Sequence, residues 1–164
     1  MNIEEIVNYF KGIATEHKEI LHSENEPHFF RDMDEAIEKL KSKSYLPAFI
    51  LGPPVFDVAD KNQDNTYDEH SLSFLLVDYV SMDDFKGKIK VYDKMLRIGR
   101  DIIARMRYEA CTCDDSIKQF ETDRVHIEPV GPILDNYYGM IFEFYMMDFV
   151  DLEYDSGKWL IVNG

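Results

Sequence analysis

The 164-residue chain carries 32 acidic side chains against 18 basic ones, and its formal net charge is −14. Hydrophobic residues make up 45% of the chain and aromatic residues 13%. This excludes the composition of a disordered protein and suits one packed domain, residues 1–164. The acidic excess argues against a nucleic-acid partner, because an acidic surface repels a polyanion. We therefore expect a folded domain without sequence-specific nucleic-acid binding.

The chain shows neither a secretion signal nor a membrane span. Residues Met1–Glu5 lack the basic and apolar stretches with which a signal peptide begins. The apolar run Ile141–Met147 contains Glu143 and is too short to cross a bilayer. We therefore predict a protein that stays in the cytoplasm of the cell that makes it, without membrane contact.

Two helices are predicted in the N-terminal part, residues 1–44. Apolar residues between positions 3 and 22 recur at helical spacing, and Ser23–Pro27 ends that pattern. A second, shorter helix is predicted over Met33–Lys43, with Asp32 as its N-cap.

The segment after residue 45 has the pattern of strands. Phe49–Leu51 is strand-like, and Gly52–Pro54 restricts it to a strand end, an edge or a bend. Asp60–His70 is predicted to be a polar loop. Ser71–Val80 is then predicted to be a strand with both faces covered, because apolar residues occupy both of its alternating sets.

The polar loop shares some features with a calcium-binding loop. Acid and amide side chains stand at positions one, three, five and nine when counting starts at Asp60. However, Asn65 replaces the required glycine and Ser71 replaces the required glutamate, and the flanks are strands. A polar loop without calcium is the simpler interpretation.

The clearest element is an amphipathic helix over about residues 85–110, where apolar side chains keep helical spacing for about seven turns. Ser81 is placed to cap it, with Asp84 three residues later. Strands are predicted over Asp123–Gly131 and Tyr137–Asp148, and a terminal strand over Lys158–Val162. The predicted class is α+β: a mostly antiparallel sheet packed on a long central amphipathic helix, with an N-terminal helical pair.

The long helix is a basic segment in an acidic chain. Residues 85–108 carry eight bases and two acids, or +8 − 2 = +6, which leaves −14 − 6 = −20 for the rest. One interpretation is a basic stripe that binds an acidic surface of another copy or of a partner protein. The other is a solvated helix face balanced by the chain's own acids. The first predicts a protein interface formed by Lys94, Arg97, Arg100, Arg105, Arg107, Asp148, Asp151 and Glu153.

No motif in the chain requires catalysis, a cofactor, a metal or a small-molecule substrate. His126 and Glu128 share one face of a strand and could form an acid–base pair, but the solvated face of an amphipathic strand is the simpler interpretation. Cys111 and Cys113 are expected to be reduced thiols. The late aromatic residues, Tyr137 among them, serve either as contact anchors or as core. We therefore predict that the protein is not an enzyme.

The order of helix, strand pair, long helix and strand pair resembles that of tail-terminator and neck (head–tail connector) proteins of tailed bacteriophages. The segment Val125–Phe144, with its turn, glycine and alternating aromatic strand, adds to this likeness, which covers roughly residues 45–150. The resemblance implies a structural virion protein that assembles as a homo-oligomeric ring between capsid connector and tail. Its implied partners are other copies of itself and neighbouring neck or tail proteins. Its implied location is the host cytoplasm during assembly and then the virion.

Two alternatives remain at this stage. A monomeric cytoplasmic acidic adaptor or immunity-type protein would bind a basic protein partner through its acids rather than through the basic stripe of the long helix. A small enzyme with an unrecognised site would need a concave pocket with carboxylates or His126 of perturbed pKa.

Overall fold

The protein is described by a computed structural model over residues 2–20, 46–60, 66–112, 120, 122–150 and 156–158. Within these residues, five antiparallel strands and two helices confirm the predicted α+β class. The predicted helix Met33–Lys43 and residues 159–162 lie outside the described residues. The elements in chain order are α1 (Ile3–Glu16), β1 (Ala48–Leu51), β2 (Val55–Asp60), β3 (Thr66–Tyr79), α2 (Phe85–Cys111), β4 (His126–Ile133) and β5 (Tyr137–Phe149).

The centre of the sheet is the pair β3–β5, which stays in register from Tyr67 opposite Phe149 to Tyr79 opposite Tyr137. β4 pairs with the other side of β5. β1 and β2 follow one another along the free side of β3, and Gly52–Pro54 separates them as the sequence predicts. Proline has no N–H to donate to a neighbouring strand, so the break between these two strands falls there.

The predicted polar loop Asp60–His70 is wrong in its second half, because β3 begins at Thr66. Asp68 and Glu69 pair through their backbones with both β2 and β5. Polar side chains are compatible with a strand where one face of the sheet meets solvent. Residues 61–65, the middle of the candidate calcium loop, lie outside the described residues, and the strands β2 and β3 flank them.

The core lies between α1, α2 and one face of the sheet. Phe74 of β3 stacks on Phe142 of β5 with ring centroids 4.7 Å apart, and Phe10 of α1 lies 5.8 Å from Phe144. All four side chains are 1% exposed or less. The opposite face of β3 is also buried, at Leu75 and Val77. The prediction that this strand is covered on both faces is therefore confirmed.

Both helices begin at side-chain caps. Asn2 caps α1 and forms a capping box with Glu5, whose carboxylate accepts the Asn2 N–H at 2.8 Å. The predicted cap of α2, Ser81, is wrong: Asp84 is the N-cap, and its carboxylate accepts the Gly87 N–H at 2.8 Å. The helix begins at Phe85, which puts Ser81 too far away to reach the first free amide groups.

Candidate interface surfaces

Two of the predicted interface arginines pair with carboxylates at and just beyond the end of α1. Arg97 donates two hydrogen bonds to Glu19, at 2.6 and 2.8 Å, and Arg105 donates to Glu16 at 2.7 Å. The hydrogen bonds from Arg97 hold the pKa of the Glu19 carboxyl below its ordinary value. These partners lie 78 and 89 residues away in the chain, and the pairing follows from the packing of the two helices.

Arg105 also belongs to a smaller, better buried network. Its Nε donates to Glu109 at 2.7 Å, and the Tyr9 hydroxyl donates to the other oxygen of Glu109 at 2.5 Å. The hydrogen bond to Glu109 raises the pKa of Arg105. Only 17% of the Glu109 side chain is exposed, so both donors are needed to offset the loss of its hydration.

Lys94 completes the set of paired bases, because its Nζ lies 2.9 Å from Asp78 at the end of β3. Lys94, Arg97 and Arg105 therefore each have a carboxylate partner within the same chain. For these three residues the geometry matches the second interpretation of the basic helix, in which its bases are balanced by the chain's own acids.

Arg100 and Arg107 differ from the other predicted bases. Both are exposed, and neither has a carboxylate partner among the described residues. With Tyr108, which is 69% exposed, they line an open groove on the outer side of α2 that also includes Cys111. Their spacing puts them on one side of the helix. We call Arg100, Arg107 and Tyr108 the arginine stripe.

The predicted acidic interface residues are described in part. Asp151, Glu153 and Cys113 lie outside the described residues, whereas Asp148 lies near the end of β5, opposite Asp68 of β3. Carboxylates directly opposite on one sheet face repel each other. Oδ1 of Asp68 is buried and accepts no hydrogen bond within the described part of the chain.

A patch of exposed apolar side chains surrounds these two carboxylates. Ile3, Phe56 and Val58 are 47%, 37% and 59% exposed, and an open groove between α1 and the sheet connects the first two with Asp68. Beneath the patch, His70 is 1% exposed, and burial lowers the pKa of its imidazole. We call the following residues the acidic end: Ile3, Glu4, Phe56, Val58, Asp68, Asp148 and Val150.

A second exposed apolar patch lies at the start of α2. The exposed fractions are 72% for Met82, 72% for Phe85 and 47% for Ile89. The sequence pattern assigns Phe85 and Ile89 to the core-facing side of the helix, and the structure corrects this. Lys86 and Lys90 are also exposed and have no carboxylate partner among the described residues. We call these five residues the lysine end.

The remaining candidate chemistry is solvated. Nε2 of His126 lies 3.6 Å from Glu128, as their shared strand face predicts, but the two side chains are 65% and 57% exposed. The described residues contain no group of three or more metal-binding side chains. None of the described helices is long and apolar enough to span a membrane. Compared with models of protein families and with curated protein sequences, the chain shows no match.

Proposed function

We propose that the chain is a structural assembly protein, a ring-forming component of the neck or tail of a tailed-phage virion. The observation that carries this proposal is the arginine stripe. An acidic chain pairs three of the five predicted interface bases internally, yet leaves Arg100 and Arg107 open beside an exposed tyrosine. Arginine and tyrosine are the residues most enriched in protein interfaces, where they supply charge-assisted hydrogen bonds and rigid apolar area.

The arginine stripe requires an acidic surface as its partner. The planar guanidinium forms bidentate hydrogen bonds with carboxylates. Two arginines on the same side of the helix therefore favour a surface with more than one acid. Copies of this chain meet that requirement because the chain outside residues 85–108 carries −20. Neighbouring neck or tail proteins are the second source of such a surface, as the phage resemblance implies.

Native mass spectrometry together with negative-stain imaging tests this proposal. We expect closed rings at high protein concentration, with a single subunit number. A chain that stays strictly monomeric at every concentration, with and without added salt, contradicts the proposal. Arg107→Glu then identifies the partner of the stripe, with Lys18→Glu as a control of equal charge change on an exposed lysine. Smaller oligomers for Arg107→Glu alone indicate a neighbouring copy, and unchanged rings indicate an adjoining protein.

A second candidate function is a monomeric adaptor that binds a basic protein. The acidic end favours it, because it combines exposed apolar side chains with carboxylates and contains no base. Such a protein remains a monomer under the conditions above and binds basic partners with an affinity that falls as salt is added.

A further inference from the structure

We propose that copies of this chain join head to tail, with the lysine end of one copy seated on the acidic end of the next. The inference rests on the proposed function of the chain as an assembly protein, and it names the contact. The partner of each end is therefore a second copy of the same chain.

Exposed apolar area is concentrated at these two ends. Six of the eight large apolar side chains most exposed among the described residues belong to them. Exposed apolar groups that cluster in this way mark surfaces that become covered on binding. Both patches have three large apolar side chains, so neither end has an excess that the other cannot cover.

The charged side chains described at the acidic end are carboxylates. The segments 2–5, 55–60, 66–70 and 146–150, which meet there, contain no lysine or arginine. Glu69 points to the opposite sheet face, where Arg124 pairs with it at 2.6 Å, so it does not contribute. Asp57 lies directly opposite Glu69 in the register and shares its face, so the described acids that remain at this end are Glu4, Glu5, Asp68 and Asp148.

The lysine end carries two exposed lysines, and the exposed acids Asp83 and Asp84 adjoin it. Lys86 stands three positions before Ile89, so the two side chains are neighbours on the helix surface, and Lys90 stands four positions after Lys86 on the same side. Asp84 accepts a hydrogen bond from the Gly87 N–H, so its negative charge is directed at the positive end of the helix. An apolar centre with lysines at its rim is complementary to an apolar centre with carboxylates at its rim.

The two ends cannot meet within one molecule. β3 has its first residues at the acidic end and reaches Tyr79 near the lysine end, and its 14 residues span roughly 45 Å. Because the two surfaces differ and lie at opposite ends, their contact is heterologous. A heterologous contact repeats from copy to copy until the rotation closes a ring.

Two variants, each with one end disabled, test the contact: Phe85→Glu at the lysine end and Val58→Lys at the acidic end. Both side chains are exposed, so each variant should keep the unfolding temperature of the wild type, which is measured first. Each variant alone should be monomeric, with its self-association weakened by a factor of about 30 or more. Lys18→Glu, which changes an exposed lysine outside both ends and outside the arginine stripe, is the control and should keep the oligomer.

Mixing the two variants gives the decisive result. Each Phe85→Glu copy retains an acidic end and each Val58→Lys copy retains a lysine end, so the mixture should form 1:1 dimers and nothing larger. Light scattering and native mass spectrometry read this directly. A variant that still assembles alone, or a mixture that stays monomeric, overturns the head-to-tail contact.

The outcomes separate this inference from the proposed function. If the wild type forms rings that both variants also form, the head-to-tail contact is wrong and the assembly function stands. If the mixture forms 1:1 dimers but the wild type forms open chains, the contact stands and the ring is wrong. A wild type that is monomeric at every concentration, or an acidic end that binds only a basic partner, overturns the contact.

Discussion

The two halves of α2 have similar composition, but the apolar side chains of one are buried and those of the other are exposed. In the second half, residues 94–109, Met95, Ile98, Ile102 and Met106 are buried to 1% exposure or less. Arg105 binds Glu16 at the end of α1, and Arg97 binds Glu19 three residues further on. In the first half, residues 85–92, the apolar anchors and two of the lysines are exposed. The difference shows that helical periodicity alone does not tell a core-facing side chain from an exposed one.

The sheet explains the difference between the halves. Tyr92 lies against Tyr138 with ring centroids 6.1 Å apart, and Nζ of Lys88 lies 4.8 Å from the same ring, next to the first residue of β5. The turn before Lys88 therefore extends past the end of the sheet, where none of the described strands covers it. One amphipathic helix thus serves as core over most of its length and as an exposed surface at its start.

A matched pair of isoleucines gives the largest expected contrast between the halves. Ile98 is 0% exposed and Ile89 is 47% exposed, nine residues earlier on the same helix. Ile98→Ala should lower the free energy of unfolding by about 3 kcal/mol, because it leaves a cavity in the core. Ile89→Ala should lower it by less than about 1 kcal/mol. Chemical denaturation measures both, and equal losses would show that the first half of α2 also belongs to the core.

Gly99 sets how closely the second half of α2 approaches the sheet. A Cβ at this position would overlap the ring of Phe142, which stacks on Phe74 and has no room to move. Gly99→Ala should cost about 2 kcal/mol of unfolding free energy. Gly12→Ala in α1 is the control: its Cβ meets nothing within 4 Å, and it should stabilise by about 0.5 to 1 kcal/mol. Destabilisation of the same size at both positions would contradict the close approach.

Glu109 tests whether the paired bases stabilise the fold. Glu109→Ala removes the acceptor of Tyr9 and Arg105 and should cost about 1 to 2 kcal/mol. Arg107→Ala, two residues away and without a carboxylate partner among the described residues, should change the unfolding free energy by less than about 0.5 kcal/mol. Thermal unfolding of the two variants at the same concentration compares them. If Arg107→Ala lowers the unfolding temperature more than Glu109→Ala does, the distinction between bases that have a carboxylate partner and bases that lack one is wrong.

The Arg97–Glu19 pair has the smallest expected effect, and it depends on pH. Arg97 lowers the pKa of Glu19 from 4.5, so the pair's contribution is complete above the unfolded pKa and is lost as pH falls through the lowered one. Glu19→Gln should therefore lower the unfolding temperature slightly at neutral pH and not at about pH 3. Added salt of about 1 M should reduce the difference at neutral pH as well. A difference that is unchanged at low pH would show that the ion pair is not its cause.

The sequence predicts the elements where one pattern dominates. The fold class, α2 and β5 follow from periodicity, and the break between β1 and β2 at Gly52–Pro54 follows from proline chemistry. The structure confirms them. The start of β3 is missed because Asp68, Glu69 and His70 form a polar run, and only pairing with β2 and β5 makes it a strand.

The candidate surfaces were less predictable than the fold. Arg97 and Arg105 find partners 78 and 89 residues away, so their neutralisation depends on how α1 packs and not on any local spacing. Phe85 and Ile89 continue the apolar period of α2, and nothing in that period marks where the sheet ends. The ring function remains a prediction. The intermolecular contacts predicted for Arg100, Arg107 and Asp148 also remain predictions.

The long register between β3 and β5 also governs when the protein can fold. Tyr79 pairs with Tyr137, 137 − 79 = 58 residues later, and Tyr67 pairs with Phe149, 149 − 67 = 82 residues later. The helix α2 and the hairpins β2–β3 and β4–β5 are local and can form early, whereas the central pair must first close a loop that contains the whole of α2. During synthesis, Phe74 and Leu76 therefore stay uncovered by β5 until their partners Phe142 and Met140 have left the ribosome. Self-association before that point would begin from the wrong surface, so correct assembly has to follow the pairing of β3 with β5.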